Sequence, residues 1–434
     1  MEISVVSLII FGICIVLFIV RPVPQWVVAV TGVLAMLFFD VLPFSKAFGS
    51  YSSSTIVLVV GMMIVGKAVF DTGMAPTVGK AILKLANNDE RKIVIYGTLI
   101  TGVMSAFLSN IATLSVMISM MKGICRSDSR VKFKNVVMPV ASGAVLGGMA
   151  TLIGSTPQIT AQGILEKFTD GSLSFDLFTF SVPGFLIIFA AAIYNGFVGY
   201  PIGKKVWGQR EDEQADDVFT EKKMESAPVQ GKIGVMSAIF VIMILLFFFS
   251  KQIKILIPSF NNAVVAVFAA MLCVWTGCVR PKEAIADVDW NLVVWLGACL
   301  GMAEGINVSG GGEILARLIG SLLKDSFSPF SLFATFVVIT VVLSHFLANS
   351  TVVALILPII LPLVSSLGYN IYPFAIGVAM ASQIAIATPI SNATIGMSMV
   401  ANYRFEDYIK YSSFLVLIST IILLLTVPAL YPLV

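Results

Sequence analysis

Repeated apolar runs of about 20 residues constrain this chain more than any motif does, because a helix of that length spans the hydrocarbon of a bilayer. With 58% hydrophobic and only 12% charged residues, the chain reads as an all-α polytopic membrane protein of the cell membrane, with lipid as its solvent and no nucleic-acid partner. The run Ile3 to Val20 lacks a basic start and a small-residue cleavage site, so it is expected to be a retained span and not a signal peptide. Cys14, Cys125, Cys273, Cys278 and Cys299 are scattered and mostly inside apolar runs, which indicates neither a disulfide framework nor a metal cluster.

Two runs cannot remain single helices. Pro139 to Gln158, PVASGAVLGGMATLIGSTPQ, is apolar enough for a membrane but too rich in Gly, Ser, Thr and Pro to stay wound. Ala379 to Asn392, AMASQIAIATPISN, repeats the pattern, with Thr388-Pro389 standing where Thr156-Pro157 stands in the first. Backbone freed from helical hydrogen bonding inside a membrane persists only where protein, water or a bound ion satisfies it. Paired breaks in corresponding places point to a transporter.

Ten full spans are expected, together with two apolar stretches too long for one span, at 93–121 and 330–364. Each of these carries a polar apex, SNIAT at Ser109 to Thr113 and ANST at Ala348 to Thr351, and reads as a re-entrant hairpin. With the N-terminus outside, this arrangement puts 20 of the 27 Lys and Arg on the inner side, as the positive-inside bias requires. Residues 207–231, containing QREDEQADD and EKKMES, form the one long hydrophilic stretch and read as a cytoplasmic linker. It divides the chain into 1–206 and 232–434, which correspond segment by segment: ITGVMSAFLSNIATLSVMI matches ITVVLSHFLANSTVVALIL. Asn110 answers to Asn349 and Pro157 to Pro389 at a nearly constant offset, so the repeat carries only small insertions. Five spans and a hairpin in each half make the second half cross in the opposite sense, an inverted-topology repeat that brings tips and breaks to one midplane site.

These motifs resemble the divalent-anion:sodium symporters of the ion transporter superfamily over nearly the whole chain. That family carries Ser-Asn-Thr at each hairpin tip and Gly-Gly, Thr, Gly-Thr-Pro-Pro-Asn at a broken helix. Here the tips read Ser109-Asn110-Ile111 and Ala348-Asn349-Ser350, and the break reads Gly147-Gly148, Thr151, Gly154 and Ser155-Thr156-Pro157-Gln158. Both asparagines are kept and neither full motif is; the family's eleven spans exceed the ten counted here by an unpaired first one. The resemblance implies an elevator-type secondary transporter, generally a homodimer, with sodium as coupling ion. The expected substrate contacts are Asn110, Thr113, Thr156 and Pro157 from the first half and Asn349, Ser350, Thr351, Thr388 and Pro389 from the second. Sodium is expected at Ser109, Asn110, Gly147, Thr151 and Gly154, and again at Ala348, Asn349, Ala387 and Asn392.

The residues themselves are suited to a small anion. Broken half-helices offer unpaired N–H groups and positive dipole ends to an anion, and unwound carbonyls and hydroxyls to a hard cation. Di- or tricarboxylates are the favoured cargo; an anion exchanger or a proton-coupled carrier of the same superfamily is the alternative. A channel is disfavoured because opposed hairpins imply alternating gates, and an enzyme because no catalytic triad, HExxH or nucleotide-binding loop is present. Lys67, Asp71, Glu304 and His345 are ionisable residues at membrane depth, each needing a reason. Lys67 and Glu304 stand at equivalent places in the two halves, and a structural ion pair or separate solvated cavities are expected for them. His345, one turn before Asn349, is open between helix packing and a role with substrate or proton. Trp290 and Trp295 read as interfacial anchors.

Overall fold

The computed structural model describes residues 2–20, 22–73, 89–127, 130–207, 231–312, 314, 328–390 and 392–434. The linker expected at 207–231 lies almost wholly outside the described residues. The first half comprises α1 (Ile3–Val20), α2 (Gln25–Phe38), α3 (Ser54–Asp71), α4 (Glu90–Ser105), α5 (Asn110–Ser127), α6 (Phe133–Gly148), α7 (Thr156–Phe168) and α8 (Ser181–Tyr194). The second comprises α9 (Ile233–Phe248), α10 (Asn262–Trp275), α11 (Trp290–Val308), α12 (Pro329–Ser344), α13 (Asn349–Ser366), α14 (Ile371–Ala381), α15 (Ala393–Met397) and α16 (Phe405–Leu430). The same order of elements recurs, down to a short helix before α3 (Phe44–Gly49) and its counterpart before α11 (Pro281–Ala286). Helix breaks fall after Gly148 and after Ile384, where the Gly, Ser, Thr and Pro content placed them.

Six helices among the described residues are long and apolar enough to cross a bilayer: Ile3–Val20, Phe44–Asp71, Ser181–Val206, Trp290–Val308, Asn349–Ser366 and Phe405–Leu430. Shorter apolar helices lie between them. One of the six, α13, falls in the stretch expected to be the second re-entrant hairpin.

Packing sorts the helices into two bodies. In the first, α2 lies against α11 and α3 against α10, so each half lends its second helix to the other half's third. Small residues set these crossings: a Cβ at Gly61 would stand 2.9 Å from the Ala266 backbone, and one at Gly32 would meet the sulfur of Met302 at 2.6 Å. In the second body α4 packs along α6, where a Cβ at Gly143 would lie 2.7 Å from the Thr98 carbonyl and one at Gly147 would overlap the Gly102 backbone. Here α7 packs on α13 and α14, and α8 on α16. The two bodies meet chiefly where α7 and α13 face α11 and where α7 faces α3.

A buried polar network stiffens the second body. The Asn195 amide donates to Thr98 Oγ1 at 3.1 Å and Ser142 Oγ at 2.9 Å, and its Oδ1 accepts from Tyr411 at 3.0 Å. Asn195 opens the π-helical turn Asn195–Gly199 that carries α8 on into Tyr200–Val206. Pro139 cannot donate within α6, and one residue earlier the Tyr403 hydroxyl enters the helix, accepting from the Met138 N–H at 3.0 Å and donating to the Lys134 carbonyl.

Lys67 and Glu304 each have an ion-pair partner in the opposite half, and Lys67 has another in its own. Lys67 reaches Asp71 at 2.9 Å and Asp287 at 2.8 Å, while Glu304 meets Lys46 at 3.3 Å. Lys67 and Glu304 therefore do not pair with each other; each takes a partner from or beside the short helix of the opposite half. Trp295 departs from expectation. It is 4% exposed within α11, because α11 is covered on both sides by α2 and the second body.

Candidate functional site

The two tips lie at the turns between α4 and α5 and between α12 and α13. At the first, α4 ends at Ser105 and α5 begins at Asn110. The Ser105 hydroxyl donates to Asn110 Oδ1 at 2.8 Å, holding the carboxamide across the tip. A Cβ at Gly148 would strike that carboxamide, so the glycine is what lets the tip lie on the broken helix. Thr151, inside the break, donates to the Ala106 carbonyl. Three carbonyl oxygens converge beside Gly154: those of Gly148, Ala106 and Ser105 lie 2.5, 2.8 and 3.0 Å from where its Cβ would be. Such a cradle of carbonyl oxygens is what a small hard cation needs.

At the second tip, α12 ends at Ser344 and α13 starts at Asn349. The Asn349 amide donates to Gln383 Oε1 at 3.0 Å. Gln383 Nε2 donates to Ser155 Oγ and lies 3.4 Å from Gln158 Oε1, and the Ser155 hydroxyl donates to that same Gln158 oxygen. A single polar chain thus joins the first break, the second break and the second tip. Asn349 Oδ1 and Gln158 Nε2 are buried without a hydrogen-bond partner among the described residues, as are Thr113 Oγ1 and Thr351 Oγ1.

Helix starts sharpen the contrast. At the hairpin bases, Asp89 caps α4 through the N–H groups of Arg91 and Lys92, and Ser328 caps α12 through that of Ser331. At the site, α7 starts after Ser155 and α13 after Ala348, and neither receives a side-chain cap from the described residues. Half-buried helix starts without caps leave N–H donors and a positive dipole end for something else to meet.

The predicted residues are not all equivalent. Asn110, Thr151, Gly154 and Asn349 make the contacts just described. Thr156 and Pro157 form the first turn of α7. Thr388 donates to the His345 carbonyl at 2.6 Å, tying the second break to the second tip, with Ala387 buried and Pro389 half-buried beside it. Ser109 is exposed, and Ala348 and Ser350 are half-buried at their tips. Gly147 faces Gly102 and serves the α4–α6 crossing. Asn392 caps α15 by accepting from the Thr394 N–H at 2.9 Å. Asn110 and Asn349 make no hydrogen bond to each other; the loop from Gly148 to Gln158 connects them. The His345 ring hydrogen-bonds its own helix at the Val341 carbonyl, 2.7 Å away.

Three residues of the polar chain, Ser155, Gln158 and Gln383, were not among the expected contacts. Gln383 stands as far after Thr151 as Thr388-Pro389 stands after Thr156-Pro157. Thr151 and Gln383 are thus repeat equivalents, and each reaches the tip of its own half, so the repeat spacing carried the signal.

The profile of the CitMHS family, described as citrate transporter, matches residues 15–327 and 317–434. The chain belongs to the citrate transporter family. An uncharacterized transporter of Haemophilus influenzae is 25% identical over 398 residues, covering 87% of this chain and 81% of that one. The sodium-dependent dicarboxylate transporter SdcS of Staphylococcus saprophyticus is 22% identical over 396 residues, 84% of this chain and 74% of its own. Among solved structures, the Alcanivorax borkumensis YdaH transporter, described as having an unusual topology, superposes with a TM-score of 0.59 at 13% identity over 92% of this chain and 89% of that one. This member of the citrate transporter family is a multi-pass protein of the cell membrane, a transporter of small anions and not an enzyme, and its kinship with the divalent-anion:sodium symporters holds.

Proposed function

We propose that this protein is a sodium-coupled secondary transporter of di- or tricarboxylates. The observation that carries the reading is the meeting, at one place, of two uncapped helix starts with the buried amide ends of Asn349 and Gln158, beside the carbonyl cradle at Gly154. Carboxylates suit the first group by charge and hydrogen bonding, and sodium suits the second by size and hardness. Neither Lys nor Arg is among the side chains named at the tips and breaks, so a bound cation supplies the positive charge that a multiply charged anion needs. The name of the SdcS relative supports both halves of the reading.

In this proposal 1–206 and 232–434 are inverted repeats, with hairpins at 93–121 and 330–364 and residues 207–231 in the cytoplasm. A cysteine placed at Gln209 should then react only with reagents that reach the cytoplasm. The body of hairpins and broken helices moves against the body of α1–α3 and α9–α11 in an elevator-type cycle, in a homodimer surrounded by lipid. Uptake of labelled citrate, succinate and sulfate into proteoliposomes tests the cargo: citrate or succinate should accumulate with a sodium gradient, and uptake of neither anion under any ion gradient would refute the reading.

A proton-coupled carrier or exchanger of the same superfamily is the second reading. Its support is a cavity of about 330 Å³ between α3, α7 and α11, whose lining includes Glu166, Asp170, Glu304 and Lys167. Glu166 accepts from Ser54 at 2.9 Å across the join of the two bodies.

A further inference from the structure

We propose that Gln383 is a coupling residue: it orders the amides of Gln158 and Asn349 into a directed relay that links what binds at the second tip to what binds at the start of α7. This inference rests on the proposed sodium-coupled transport and names a residue that sets the coupling.

A carboxamide offers an acceptor at one end and donors at the other, so a file of carboxamides has a direction. Here the direction runs through Gln383. Its oxygen accepts from Asn349 at 3.0 Å, and its nitrogen donates to Ser155, whose hydroxyl passes the same sense on to Gln158 Oε1. The outcome is one unmatched atom at each end, the oxygen of Asn349 and the N–H group of Gln158, with no partner among the described residues. These three residues are 8%, 1% and 0% exposed for Asn349, Gln383 and Gln158. A buried polar atom left unmatched has given up water without gaining a partner, and a ligand at each end restores one.

The two ends ask for opposite chemistry. A free amide oxygen at Asn349 suits a sodium ion, and a free amide N–H at Gln158, two residues into α7, suits a carboxylate at that helix start. Filling either end holds the file in its present sense and presents the correct atom at the other. Reversing the file would offer N–H to the cation and oxygen to the anion. The relay thus makes each ligand favour the other, and by linkage the effect is mutual.

The test uses the purified full-length protein. Citrate and succinate are titrated calorimetrically in sodium chloride and in choline chloride, and the ratio of dissociation constants gives a coupling factor. Thermal unfolding with and without sodium alone reports cation binding separately. Wild type should show a factor of about ten or more. Gln383→Met, of similar volume but unable to relay, should bring it to within twofold of unity. Ser155→Ala removes the hydroxyl link and leaves only the direct 3.4 Å contact of Gln383 Nε2 with Gln158 Oε1; it should lower the factor at least threefold without abolishing it, which keeps the test alive if Gln383→Met does not fold. Gln383→Glu accepts at both ends and so turns the Gln158 amide around; it should keep the sodium-induced rise in melting temperature while weakening anion binding at least tenfold. A packing role for Gln383 would lower stability and leave the coupling factor unchanged. Wild-type coupling in both Gln383→Met and Ser155→Ala overturns the relay alone. A wild type that binds neither anion, or binds one with no effect of sodium, overturns the transport proposal and the relay with it.

Discussion

The two hairpin tips come from matching segments of a repeated chain, yet they solve the problem of a buried polar apex differently. Asn110 is satisfied within its own hairpin by Ser105 and rests on Gly148, in a setting of backbone carbonyls around Gly154. Asn349 is more deeply buried, hands its amide to Gln383 in another segment, and keeps an oxygen unmatched among the described residues. The first tip is built from backbone, the second from side-chain amides. Repetition fixes where polar groups sit; the few positions that differ between the halves decide what those groups can hold.

That contrast can be broken by mutation. Asn349→Leu leaves the buried Gln383 oxygen without its donor, a penalty of about 1–3 kcal/mol, and removes the Asn349 oxygen from the site, so uptake should fall about 100-fold. Near-normal proteoliposome uptake by a folded Asn349→Leu protein would remove the second tip from the site. The next largest effect is expected from filling the first side: Gly154→Ala places a methyl 2.5 to 3.0 Å from three carbonyl oxygens. The overpacking costs about 1–3 kcal/mol, and the sodium-induced rise in melting temperature should be lost or halved while anion binding without sodium changes little. A full sodium shift in this variant would contradict a cation at Gly154.

Smaller changes sharpen the comparison. Ser105→Ala releases the Asn110 carboxamide, and losing one such hydrogen bond, worth about 1 kcal/mol, should slow uptake about fivefold. A loss as large as that of Asn349→Leu would show that the first tip depends on side chains after all. Least of all should follow from Ile111→Thr, since Ile111 is 42% exposed and the first tip works through backbone. Its uptake and sodium dependence should stay within about twofold of wild type, within the range of most surface substitutions, and a large change measured in the same assay would point to a hydroxyl at this position.

Much of the architecture was legible because membrane depth leaves the chain few options. Apolar runs gave the helices, and Thr-Pro at 156–157 and 388–389 gave the breaks, since an unwound backbone in a membrane has to be met by something. The recurrence of the same segments at a nearly constant offset located both tips. Side-chain partnerships were less legible. Gln383 sits in a run of Ala and Ile where one amide reads as tolerated polarity, and the signal it did carry was its place one repeat after Thr151. Lys67 and Glu304 shared the repeat spacing, which relates equivalent positions without bringing them together, so each found its partner from the opposite half. Trp295 misled because a Trp near an expected helix end reads as interfacial, whereas helix crossings bury it.

The most direct measurement of the central claim sets one gradient against another in proteoliposomes loaded with the wild-type protein. An inward sodium gradient at equal pH should drive labelled citrate or succinate above its equilibrium level, and a pH gradient without sodium should not. Accumulation that follows the pH gradient, ignores sodium and disappears in Glu304→Gln or His345→Gln would contradict sodium coupling and favour a proton-coupled carrier.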